Sequence, residues 1–292
     1  GFWSISVLYW AKIGENTLGI QNNIISILFL TAIPSSVIYN TTLVREALTI
    51  LILSIVCWHT TQWLTRKRLF DIFSIGCSGL LLYLLRPELV PVVLLSGSIA
   101  MVGPIIVISA NKKSTTPIWS GLLCISIFLI LILTDVGARF ANPFQIELID
   151  AKRASEVRNL TYAYLENMEY QSWFHLFKLI PIRVSYLLYS PFPWRFFNNG
   201  LVLATADSLF YMFVTLNSIL SIRFFLNSYW DRINWRNFLF IVSLSILTIV
   251  GYSLVVSAAT TAPRRRLYAA PILVLIASIP LDFVYDYIEI EY

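Results

Sequence analysis

The chain has 292 residues, 58% of them hydrophobic and only 13% charged, where a soluble domain is typically about a quarter charged. That composition excludes an ordinary soluble globule and predicts an all-α, polytopic transmembrane helical bundle. The net charge of +5 is small and is explained by Lys and Arg flanking apolar spans, so nucleic acid is not an expected partner.

A helix crossing a bilayer needs about 20 mostly apolar residues. The chain opens on Phe2 to Ala11, which reads as the end of a span and suggests a fragment or a processed chain. Ile24 to Thr42 follows, interrupted by Pro34-Ser35-Ser36, and then Ala47 to Leu64, closed by Arg66-Lys67-Arg68. Leu69 to Leu85 is a short span ending at Arg86-Pro87-Glu88. Leu89 to Ser109 ends at Lys112-Lys113, and Ile118 to Leu133 at Thr134-Asp135.

The character changes after residue 134. Residues 135–172 hold Asp150, Lys152, Arg153, Glu156, Arg158, Glu166 and Glu169, with apolar residues at roughly helical spacing. This pattern predicts amphipathic helices on the membrane surface. Trp173 to Trp194 is aromatic and contains Pro181, Pro191 and Pro193, which favours an interfacial or re-entrant segment over a clean span. Spans at Leu201 to Phe225, Phe238 to Ala258 and Leu267 to Tyr285 complete the chain, before an acidic tail. The expected organisation is therefore about eight spans. N-terminal transmembrane helices occupy residues 1–134, an extracytoplasmic amphipathic helical insert residues 135–200, and C-terminal transmembrane helices residues 201–292.

Short loops rich in Lys and Arg normally stay in the cytoplasm. With Arg66 to Arg68 cytoplasmic, alternation puts nine Lys and Arg in the short loops of that side, at positions 12, 66, 67, 68, 112, 113, 223, 232 and 236. The other side's short loops hold five: Arg45, Arg86 and the triplet Arg264, Arg265 and Arg266. This orientation requires that Trp173 to Trp194 not cross. A crossing there flips the triplet to the cytoplasmic side and makes it a plain anchor.

Charges near membrane depth are expensive and tend to face a cavity or mark a substrate path. Arginine suits a diphosphate because its planar fork donates two hydrogen bonds and stays charged. Arg45, Arg86, Arg264, Arg265 and Arg266 are therefore candidate contacts for an anionic, lipid-linked ligand, with lipid phosphates or simple anchoring as the plainer alternative. Trp194 is a candidate for sugar stacking within a cluster otherwise suited to interfacial anchoring. Glu46, Glu88 and Asp135, each at the outer end of a span, are the candidate proton acceptors. No nucleophile constellation or phosphate-binding loop is present. Cys57, Cys77 and Cys124 lie in apolar runs without CxxC spacing, and His59 and His175 form no zinc pattern. Neither a metal nor a cofactor is expected.

Several short segments carry a resemblance. They are Pro34-Ser35-Ser36 with Arg45-Glu46, Leu85-Arg86-Pro87-Glu88, Tyr189-Ser190-Pro191-Phe192-Pro193-Trp194, and Thr260-Thr261-Ala262-Pro263-Arg264-Arg265-Arg266-Leu267-Tyr268 followed by Pro271. Together they resemble bacterial multi-pass membrane proteins of surface-polysaccharide clusters, similar to O-antigen polymerases and C-type membrane glycosyltransferases. The resemblance implies a bacterial inner (plasma) membrane location and a polyprenyl-diphosphate-linked sugar as substrate. Its partners would be a lipid-linked oligosaccharide and membrane lipids, with the arginines as diphosphate contacts. The expected activity is that of a polysaccharide polymerase or lipid-linked glycosyltransferase. A flippase for a lipid-linked glycan and a non-enzymatic envelope scaffold are the alternatives.

Overall fold

A computed structural model describes residues 1–19, 23–36, 44–108, 146–159, 163–165, 168–194, 202–224 and 233–291. Helices α1 (Phe2–Leu18), α2 (Asn23–Thr31), α3 (Val44–Arg66), α4 (Leu69–Leu85) and α5 (Leu89–Ile108) form the first part. Helices α6 (Ile146–Asn159), α7 (Trp173–Tyr189), α8 (Val202–Phe224), α9 (Trp235–Val255), α10 (Ala262–Arg266) and α11 (Ala270–Glu291) form the rest. The fold is all-α. Among the described residues the only extended pairing is an isolated bridge between Ala163 and Ala258.

Local chemistry sets several boundaries. Gly19 takes a left-handed φ of 65° and closes α1, a conformation glycine adopts without a Cβ clash. Ser172 caps α7 and Asn234 caps α9, each side chain accepting a bond from the backbone N–H three residues on. Pro181 does not break α7: the helix continues through it from Trp173 to Tyr189. Of the span expected at Ile24 to Thr42, α2 covers Asn23–Thr31 and helix resumes at residues 34–36, while residues 37–42 lie outside the described residues. The span expected at Ile118 to Leu133 lies outside the described residues.

Among the described residues, two helical stretches, Arg45–Arg66 and Trp235–Val255, are long and apolar enough to cross a membrane. Leu69–Leu85, Leu89–Gly103 and Ala270–Pro280 are shorter apolar helices.

Most long helices alternate in direction, and their contacts define two ends of the bundle. At one end, the Asn234 N–H donates to the Thr17 carbonyl at 3.1 Å, and the Asn234 and Asn237 amides reach Thr65 Oγ1 at 3.2 and 3.3 Å. The exposed residues Arg66, Lys67 and Arg68 sit beside this junction. The opposite end gathers the start of α3, the α4–α5 junction, the C-terminus of α9, and α10. Small polar residues bind helices to one another in between. Ser26 and Ser278 share a hydrogen bond of 2.9 Å, and Ser221 donates to the Ile276 carbonyl at 2.8 Å.

Helix α7 packs against the second end of the bundle, at the C-terminus of α9. Leu176 packs with Ile149, Tyr170 and Leu254. Arg183 donates to the carbonyls of Ser253, Leu254 and Val256 and to the Ser257 hydroxyl, at 2.9 to 3.2 Å. Those carbonyls are orphan acceptors of the last turn of α9 and its exit, so a buried guanidinium caps that helix. The insert packs on the same end: Glu156 of α6 accepts from the Ser257 N–H at 3.1 Å, and Tyr164 donates to the Val256 carbonyl at 3.1 Å. Burial pushes the Tyr164 phenol up from its ordinary value, which keeps it a donor.

Helices α5 and α9 approach closely at Gly103, where an added Cβ would lie 2.7 Å from Leu239 Cδ1. Gly103→Val should therefore cost about 1–3 kcal/mol by overpacking. Gly251→Ala, at a position of α9 where a Cβ meets nothing within 4 Å, should gain about 0.5–1 kcal/mol from helix propensity. Thermal unfolding of the detergent-solubilised protein measures both, and equal melting temperatures for the two variants would contradict this packing.

Candidate functional site

The site is built around Glu46, in the first turn of α3. Its carboxylate is only 1% exposed, yet three donors from distant segments meet it. Arg86, at the α4–α5 junction, ion-pairs with Oε1. Arg264 of α10 donates to the same oxygen through Nε at 2.6 Å and also through Nη2. The Tyr268 hydroxyl donates to Oε2. Both oxygens are therefore occupied by donors. Next to this group, Arg45 Nη2 donates to the Leu85 carbonyl at 2.6 Å, which ties α3 to the end of α4.

A second carboxylate lies on the solvent side. Glu88 is 41% exposed, and its Oε1 stands 3.6 Å from Arg86 Nη1 and 3.9 Å from Arg265 Nη1. The Tyr252 hydroxyl of α9 is 3.4 Å from the same oxygen. Beneath these groups, Tyr252 and Tyr268 stack with centroids 5.5 Å apart at 25°. Arg86 sits over the Tyr268 ring at 5.9 Å and Arg265 over the Tyr252 ring at 5.2 Å. Cation–π contact of this kind holds a guanidinium without using its N–H donors. Arg86 Nε and Arg265 Nη1 are both buried and have no hydrogen-bond acceptor.

The three consecutive arginines serve three places. Successive residues of a helix are about 100° apart around its axis. Arg264 accordingly faces Glu46, Arg265 faces Glu88 and Tyr252, and Arg266 turns into the core. Arg266 Nη1 lies 3.3 Å from Asp207 Oδ2, and both side chains are fully buried. It also donates to the Leu188 carbonyl, the Ser208 hydroxyl and the Ser190 carbonyl. Asp207 in turn accepts from the Ser35 N–H at 3.0 Å. This cluster joins α8, α10, the exit of α7 and the Pro34-Ser35-Ser36 segment.

The candidates read from sequence therefore divide. Arg45, Glu46, Arg86, Glu88, Arg264 and Arg265 come together at one end of the bundle. Arg266 is next to them in the chain but is enclosed in the core with Asp207. Trp194 is exposed and stacks on Phe192 at 4.7 Å, in an aromatic row that continues through Tyr186 to Tyr164. Asp135 lies outside the described residues. Sequence reasoning missed Tyr252, Tyr268 and Asp207. Asp207 carried a usable signal, because a lone acid within an apolar helix needs a buried partner. Among the described residues no group of three or more His, Cys, Asp or Glu side chains could hold a metal ion. No protein-family model, curated protein or solved structure matches the chain.

Removing one member of a buried ion pair strands the other, at a cost of about 3–5 kcal/mol. Asp207→Ala should lose stability on that scale. The double replacement Asp207→Leu with Arg266→Met should recover part of it, because no uncompensated charge remains although the Leu188 and Ser190 carbonyls and the Ser35 N–H lose their partners. Melting temperatures of wild type, single and double variants test this, and a double variant no better than the single one refutes it.

Proposed function

We propose that this chain is an integral membrane glycan-assembly enzyme of a bacterial inner membrane. It acts on a polyprenyl-diphosphate-linked sugar, as a polysaccharide polymerase or lipid-linked glycosyltransferase. The observation that carries the reading is the convergence of four arginines, Arg45, Arg86, Arg264 and Arg265, around two carboxylates, Glu46 and Glu88, at one end of an apolar helical bundle. An excess of guanidinium groups held in place by carboxylate and tyrosine contacts suits a ligand with several negative charges.

The bilayer part of the reading has its own support. On α4 the buried residues include Asp71 and Ser78, while Leu69, Phe70, Phe73, Leu80 and Leu84 are exposed. On α8 the buried side chains include Asp207, Ser208 and Tyr211, while Leu209, Phe213, Leu216 and Ile219 are exposed. Polar-inside, apolar-outside helices suit a lipid surround. The basic turn Arg66 to Arg68 lies at the end opposite the arginine site, which fits cytoplasmic basic loops and an extracytoplasmic site. The contacts of α7 with the C-terminus of α9 support a segment that does not cross, the condition for that orientation. About eight spans, with the insert outside, is the arrangement we adopt.

In the proposed mechanism, the bond between the sugar's anomeric carbon and the diphosphate oxygen breaks, and the bonding pair leaves with the diphosphate. Arg86, Arg264 and Arg265 stabilise the charge that gathers there. The acceptor hydroxyl forms the new bond to the anomeric carbon, and its proton passes to a carboxylate. Glu88 fits that task because it is exposed and beside the arginines. Glu46 fits it poorly, because both of its oxygens already accept from donors, and it acts instead to position Arg86 and Arg264.

Arg265→Ala should lower polymer formation by about 100-fold or more, the scale of losing one donor to a developing anion, with protein level unchanged. Arg86→Ala should do the same but also destabilise, since the buried Glu46 loses one of its two guanidinium partners. Lipid-linked precursor should then collect on the outer leaflet, whereas accumulation on the inner leaflet indicates a flippase. Normal polymer in the Arg265→Ala strain overturns the reading. Sidedness is tested in a variant with the native cysteines replaced. A cysteine placed at the exposed Pro87 should react with a membrane-impermeant maleimide in intact cells, and one placed at Lys67 should not. The reverse pattern excludes an extracytoplasmic site.

A further inference from the structure

The Glu88 carboxylate is placed as a ligand oxygen would be. One oxygen, Oε1, is approached by Arg86 Nη1 from the α4–α5 junction, Arg265 Nη1 from α10 and the Tyr252 hydroxyl from α9. All three distances, 3.4 to 3.9 Å, exceed the 2.7–2.9 Å or so of a charge-assisted hydrogen bond. Glu88 thus neutralises the donors without satisfying them, and Arg86 Nε and Arg265 Nη1 remain without hydrogen-bond acceptors. Arg86 is itself only 7% exposed, so its unmet donor is a buried one, which is costly unless something fills the place. Glu88 differs from Glu46 in each respect. It is 41% exposed where Glu46 is 1% exposed, and it sits on the exposed Pro87-Glu88 turn, where its side chain can swing off the arginines and still stand beside the bound ligand to take the acceptor's proton.

We propose that Glu88 is an internal stand-in for a ligand phosphate, displaced only by a polyanion, and that it sets the site's selectivity. Arginines at a membrane surface are surrounded by phosphodiester headgroups. A phosphodiester carries one negative charge, the same as Glu88. Glu88 is tethered, so it holds its place without the entropy that a free headgroup gives up on binding. A headgroup of equal charge therefore does not displace it. A diphosphate ester carries more charge and more acceptor oxygens, and can reach Arg86, Arg265 and Tyr252 at full hydrogen-bond distance. Specificity arises here by raising the cost of the wrong ligand, not by tightening contacts to the right one. The inference rests on the diphosphate reading above and adds to it a residue that rejects ordinary phospholipid.

The experiment measures binding of farnesyl diphosphate to the full chain in nanodiscs, either of phosphatidylcholine alone or with added phosphatidylglycerol. In wild type, the anionic lipid should weaken binding by less than about twofold. In Glu88→Gln, which removes an exposed charge and keeps the side-chain shape, binding in phosphatidylcholine should tighten several-fold. Added phosphatidylglycerol should then weaken it by about tenfold or more, equivalent to about 1.4 kcal/mol. Equal sensitivity to phosphatidylglycerol in the two proteins overturns the stand-in role alone. Weaker diphosphate binding by Glu88→Gln in phosphatidylcholine also overturns it, since Glu88 would then assist the ligand. Absence of binding to wild type in phosphatidylcholine overturns both this inference and the diphosphate reading on which it rests.

Discussion

The arrangement depends on one buried carboxylate. Glu46 gathers Arg86, Arg264 and Tyr268 from segments up to 222 positions away in the chain. Without its charge, Arg86 and Arg264 would repel each other in a region of low dielectric. Taking a carboxylate out of water is itself unfavourable and is offset only by close, well-directed partners. The site and the bundle packing are therefore one problem. The α3 start, the α4–α5 junction and the α10–α11 junction must all reach their places before Glu46 is satisfied. Whatever moves one of these junctions moves the arginines.

A second layer keeps this assembly aligned. Arg183 caps the last turn of α9, and Arg266 with Asp207 links α8 and α10 to the exit of α7. Two arginines with no exposed surface thus serve as brackets for those that retain some. The chain uses one residue type for two purposes, separated by how completely each guanidinium is enclosed.

Much of the helical layout was legible. The boundaries at Leu69 and Leu85 follow from the charges that stop the apolar run on either side, Arg68 and Arg86. The starts of α5 and α8 were similarly evident. Pro181 was a poor guide to the extent of α7, because it removes one backbone donor, toward the Phe177 carbonyl, and the helix continues through it to Tyr189. The convergence of Arg45, Arg86 and Arg264 with Arg265 was readable because alternating spans bring alternate loops to one face. The division of the triplet was not readable. Which of three adjacent arginines turns inward depends on the phase of α10, and that phase is set by Asp207 and Glu46, far away in the chain. Tyr252 and Tyr268 look like ordinary apolar-segment aromatics until the turn between α9 and α11 stacks them.

The fan of the triplet makes α10 a small gearwheel. Its teeth engage three separate sockets: Glu46, the Glu88–Tyr252 edge and Asp207. Inserting one residue between Pro263 and Arg264, or deleting Pro263, would turn the wheel by about 100° one way or the other. Every arginine would then be offered its neighbour's socket, although the local composition would scarcely change. The segment should accordingly tolerate exchange of side chains far better than any change in its length.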